Sequence, residues 1–129
     1  MRTHILTSAA AVILAASAVG PAISATEVLV YTAIEADQLK AYEAALETAR
    51  EMGWEIVSSN PEAGLIEATA TTRIMNFKDD VAIRVSESGE GAAVDVRSVS
   101  RVGISDMGAN ANRIRTYLHA LKVKLGEAG

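Results

Sequence analysis

Ser98 to Arg115 reads SVSRVGISDMGANANRIR, the stretch of this chain richest in side chains that could do chemistry. Its GISDMG comes close to the G-x-S-x-G turn that presents a serine nucleophile, but Gly108 falls one residue late for that turn. The base would have to be His119, the only histidine beyond the first 25 residues, about four helical turns from Ser105 and too far for a hydrogen bond along one segment. A triad also needs an acid to orient its base. A phosphate loop ahead of a helix is the second possibility. It lacks the Lys-Ser/Thr pair, and the Asp106 carboxylate would repel a phosphate where one would sit. The remaining account is structural. Gly103 releases the chain from a strand, and Ser105 or Asp106 caps the first amide hydrogens of a helix.

Capping leaves the arginines unexplained. Arg97 and Arg101 lie four apart on one face of a strand, and Arg113 and Arg115 follow on the helix. A guanidinium suits bidentate contact with a carboxylate or phosphate, so this corner is a candidate binding rim, with Asp79, Asp80 and Asp95 as possible internal partners. Adjacent Asp79 and Asp80 on a strand point to opposite faces and cannot chelate one ion together. The alternating acids of a calcium loop are absent, and no histidine stands beside them. No spacing singles out a pair of acids for glycoside hydrolysis. The residues imply no metal and no cofactor.

The elements that must position these groups can be read from periodicity. EVLVYTAI (27–34) is a β-branched strand or arm. A helix follows with Asp37 as its cap, Leu39, Tyr42, Leu46, Ala49 and Met52 on its apolar face, and Gly53 at its end. The period then changes to two. WEIVSS (54–59), LIEATATTR (65–73), DDVAIRVSE (79–87) and AVDVRSVSR (93–101) form an antiparallel meander joined by short turns. A last amphipathic helix carries Ala111, Ile114, Leu118, Leu121 and Leu125. The fold class is α+β: a four-stranded meander, with the early segment as a possible further strand, and two helices on one face. Alternation puts Ile66, Ala68, Ala70, Val81, Ile83, Val85, Val94 and Val96 under the helices. Glu67, Thr69, Thr71, Arg73, Asp80, Arg84, Asp95, Arg97 and Arg101 fall on the opposite, polar face.

The first 25 residues read differently. Arg2 precedes an apolar run from Ile5 to Val19, Gly20-Pro21 breaks it, and Ile23-Ser24-Ala25 offers a small-residue exit. This is the pattern of a secretory leader, cut after Ala25, with Ala16-Ser17-Ala18 as a second cutting point. The alternative is an uncleaved anchor, for which the 15-residue apolar run is short of the ~20 that span a bilayer. Residues 26–129 then form one domain, periplasmic or secreted in a bacterium, with no stable membrane span. The chain has no cysteine, which excludes disulfides, thiol catalysis and a lipidated N-terminal cysteine. Residues 26–129 carry 11 basic and 16 acidic side chains, a net charge of −5 that argues against nucleic acid. Residues 26–68 hold nine acids against two bases, and 69–129 seven against nine, so an anionic partner would favour the second half.

GLIEATATTR, NFKDDVAIRV and VDVRSVSRVGISDMGANANRIRTYL together resemble the bacterial domain of unknown function family 1499. The resemblance runs from about Asp37 to Leu121 and implies no established activity. The matching positions are Thr71, Arg73, Phe77, Asp79, Asp80, Arg97, Ser98, Ser100, Arg101, Gly103, Ser105, Asp106, Gly108, Asn110 and Arg113. Members carry glycine at the position of Asn76, a residue that also tolerates positive φ. They also carry arginine at the positions of Ile104 and Asn112, which thins the basic cluster here. Separately, the element order is similar to helix-grip domains of outer-membrane assembly lipoproteins, an analogy of fold alone.

The expectation is an exported, non-enzymatic envelope domain that binds a partner protein or an anionic small molecule. Its candidate binding residues are Arg73, Asp79, Asp80, Arg84, Arg97, Arg101, Asp106 and Arg113, with no catalytic residue assigned. A hydrolase using Asp79 or Asp80 as base is one alternative. A module that self-associates through its open polar sheet is the other.

Overall fold

The computed structural model describes residues 11–16, 26–72, 76–101 and 107–127, with residues 11–16, 26–29 and Met107 described by backbone alone. Six strands and two helices follow in order: β1 (Ala11–Ala16), β2 (Thr26–Ile34), α1 (Gln38–Glu51), β3 (Glu55–Asn60), β4 (Leu65–Thr71), β5 (Lys78–Ser88), β6 (Gly91–Ser100) and α2 (Met107–Lys124). The sheet order is β1-β2-β6-β5-β4-β3, and every neighbouring pair is antiparallel. The β3–β6 meander matches the sequence reading, and 27–34 is a strand of the same sheet. It pairs with β6, so α1 carries the chain from one end of the meander to the other. The apolar segment read as a leader contributes β1, which lies antiparallel to β2 from Ala11↔Tyr31 to Ala16↔Thr26.

Both helices pack on one face. Val30, Ile34, Ile66, Ala68, Ala70, Val81, Ile83, Val85, Val94 and Val96 line the inner side of the sheet and are buried. Asp37 caps α1 by accepting the Lys40 amide at 2.9 Å, and Gly53 leaves the helix with φ of 81°. The buried face of α1 holds the expected Tyr42 and Ala49, with Leu46 and Met52 packed against it, but not Leu39. Leu39 is 63% exposed, and Ala41 and Ala45 are fully buried instead. Small side chains let the helix backbone sit close to the sheet, so the tightest face is the alanine face, not the leucine face. On α2 the most deeply buried row is Asn110, Ile114, Tyr117 and Leu121. The Tyr117 ring stacks on Trp54 with centroids 5.0 Å apart. Its hydroxyl donates to the Ala45 carbonyl at 2.8 Å, tying the two helices together.

The turns follow their residue types. Gly89-Glu90 closes the β5–β6 hairpin in two residues. Asn76 takes φ of 52° between β4 and β5, in the left-handed region that asparagine tolerates.

Candidate functional site

The end of β6, the start of β5 and the first turns of α2 meet beneath the strand-to-helix corner. Asp79 is opposite Ser100 and Val81 opposite Ser98 in the β5–β6 register. Strand alternation therefore brings Asp79 and Ser98 to the inner face, while Asp80 goes to the outer face. The two carboxylates diverge, as their adjacency on a strand requires.

On the inner face the polar groups close on one another. Arg113 Nη2 lies 2.8 Å from Asp79 Oδ2, in an ion pair whose side chains are 12% and 5% exposed. Arg113 Nη1 donates to Asn110 Oδ1 at 2.7 Å and to Ser98 Oγ at 3.2 Å. Ser98 Oγ donates to Asn110 Oδ1 at 2.8 Å, and Asn110 Nδ2 donates to Ser100 Oγ at 3.1 Å. One carboxylate, one guanidinium, one amide and two hydroxyls thus satisfy each other under the helix. Such a network fixes the geometry of α2 on the sheet, and it leaves Arg113 facing inward, away from any rim.

On the outer face Arg101 Nε donates to Asp80 Oδ1 at 2.8 Å, and Arg101 Nη2 donates to Thr69 Oγ1 at 3.2 Å. The hydrogen bond to Asp80 holds the Arg101 guanidinium above its ordinary pKa. This pair is open to water, with side chains 47% and 58% exposed.

A half-open depression of about 270 Å³ lies further along the same face, lined by Leu65, Ala82, Ile83, Arg84, Asp95 and Arg97. Leu65, Arg84 and Asp95 stand side by side on three adjacent strands, and Tyr31 extends that row onto β2. Ala82 is opposite Arg97 in the neighbouring row and gives the hollow a small apolar floor. Tyr31 is 39% exposed. The Arg84 side chain makes no hydrogen bond or ion pair with any other described residue, whereas Arg97 does have a partner.

The expected binding set therefore divides into three groups. Asp79 and Arg113 are joined inside, Asp80 and Arg101 are joined outside, and Arg84 and Arg97 flank the depression. Arg73 and Asp106, together with the proposed caps at Ser105 and Asp106, lie outside the described residues. Candidate-site reasoning passed over Asn110 and Ser98 as network members, and Leu65, Ala82 and Tyr31 on the outer face. The signal for Ser98 was available, since alternation already puts it on the inner side with Val94 and Val96. Among the described residues no three His, Asp or Glu side chains are placed to hold a metal. No helix among them is long and apolar enough to cross a membrane.

These features define an α+β domain in which two helices grip one face of an antiparallel sheet and leave the other face bare. The chain belongs to the family described as protein of unknown function (DUF1499), whose model matches residues 9–121. No curated protein matches it in sequence. Among solved structures it is similar to CalU16 from Micromonospora echinospora, at 12% identity and a TM-score of 0.63. That likeness covers 92% of this chain and 85% of the other, and at this identity it speaks for the fold alone.

Proposed function

We propose that the chain is a small, non-catalytic binding domain of the bacterial envelope, exported by its apolar leader and cut after Ala25. Its bare sheet face receives a partner protein or an anionic ligand. The observation that carries this reading is the hollow between Arg84 and Arg97. Its small apolar floor, its charged rim and an Arg84 side chain with no partner among the described residues suit a carboxylate or phosphate group attached to something apolar. The helices cover the other face, so this is the side on which a partner has room. Asp79 and Asp80 stand on opposite faces and neither lines the hollow, which favours binding over hydrolysis.

The test is native mass spectrometry of the chain purified without refolding, combined with crosslinking in intact cells. A retained ligand or crosslinked partner that is lost in Arg84→Ala and Arg97→Ala, at unchanged melting temperature, supports the reading. A partner that both variants keep, or no partner by either method, overturns it.

A further inference from the structure

Strand β2 runs for nine residues, TEVLVYTAI, with one charged side chain and no proline or lysine. Its register with β6 is unbroken from Glu27↔Val99 to Ile34↔Ala92. Cutting the chain after Ala25 would remove β1 and leave alternate N–H and C=O groups of β2 facing water. A long, apolar, regular edge of this kind is a template for another strand. The opposite edge is treated differently. There β3 is six residues long, its register shifts between Ile56 and Ser58, and it ends in Ser58-Ser59-Asn60. A short, bulged, polar strand resists further pairing. One edge of the sheet is blunted and the other is not.

The place beside β2 is also one that the fold fills. In the full chain β1 occupies it over six antiparallel pairs. The family match begins at residue 9 and so takes in β1. Residues 26–129 are 104 of the 129, about 81%, so the 92% covered by the CalU16 likeness must include part of the first 25.

We infer that, once the leader is removed, the edge of β2 is taken by β2 of a second copy, giving a two-fold dimer with one continuous sheet. This rests on the processing put forward above. Identical strands paired antiparallel satisfy two-fold symmetry, which a parallel pair cannot. Centred on Val30, the pairing sets all nine positions of Thr26–Ile34 against each other. It also places Glu27 opposite Ala33, so the one charge of the strand avoids its own copy.

The test uses the full-length gene, protein purified from the periplasm, and native mass spectrometry with light scattering at micromolar concentration. The expected species has twice the mass of residues 26–129. Ala33→Glu sets like charges opposite at both ends of the paired strands and should weaken the dimer about tenfold. Ala33→Lys adds similar bulk with the complementary charge and should leave it intact. Melting curves of both variants confirm that the subunit is folded. A processed monomer, a processed chain paired with a different protein, or a dimer indifferent to Ala33→Glu overturns the proposal. A full-length mass overturns the processing and the edge pairing together, and the mass itself distinguishes that failure from the others.

Discussion

Asp79 and Arg113 are 34 residues apart in sequence and meet at 2.8 Å beneath the first turns of α2, nearly sealed from water. A buried ion pair adds little over an apolar pair of the same shape, but removing one member strands the other charge. Asp79→Asn and Arg113→Met should each destabilise the domain by about 3–5 kcal/mol. The double variant should lose clearly less than the sum, because neither charge is then left alone. Urea unfolding of the four proteins in a double-mutant cycle checks this. Strict additivity would show that the pair does not couple.

Asp80 and Arg101 form the contrasting case. Both stand in solvent, and exposed pairs contribute little. Arg101→Ala should leave the thermal midpoint close to that of the parent chain while removing the hydrogen bonds to Asp80 and Thr69. A large drop in midpoint would mean that Thr69, buried beside Arg101, depends on that side chain.

Tyr117 titrates in a way that water would not dictate. Burial pushes its phenol well above the ordinary value of 10.0. A phenol whose folded pKa is raised keeps its proton in the native state while the unfolded chain gives its proton up. Its contribution to stability is complete below pH 10 and falls as pH rises through 10 toward the folded value. Tyr117→Phe should cost about 1 kcal/mol at pH 7 for the lost bond to Ala45. The variant should then show a shallower decline between pH 10 and 11.5 than the parent chain. Chemical denaturation at several pH values gives both quantities.

Gly64 precedes β4 with φ of 71°, and its carbonyl accepts the Val85 amide at 2.7 Å. A Cβ there would run into the Val85 carbonyl. Gly64→Ala should destabilise by more than the ~1 kcal/mol expected for the positive φ alone, because the backbone approach must also open. Gly53→Ala is the control, since it shares a positive φ with open space around it. The two melting temperatures should separate clearly.

The element order was legible in the sequence because each element carries its own local signal. Period two marks β3 to β6, period 3.6 marks α2, and Asp37, Gly53 and Gly89 mark ends and turns. The inner and outer faces of β4 to β6 follow from alternation alone, down to the divergence of Asp79 from Asp80. For α1 local periodicity placed Tyr42 and Ala49 correctly but put Leu39 where Ala41 and Ala45 are buried. Hydrophobicity ranks Leu39 above Ala41, whereas close approach to a sheet selects the smaller side chain.

What the sequence by itself determined is therefore local: the strands, the helices, their faces, and the two carboxylates that part company on β5. Only the tertiary structure decided which arginine meets which acid, that Asn110 and Ser98 complete the buried network, and that β2 joins beside β6 with its far edge against β1. Those outcomes depend on contacts between segments distant in the chain. A side chain's type fixes what it can bond to, but packing alone determines what stands within reach.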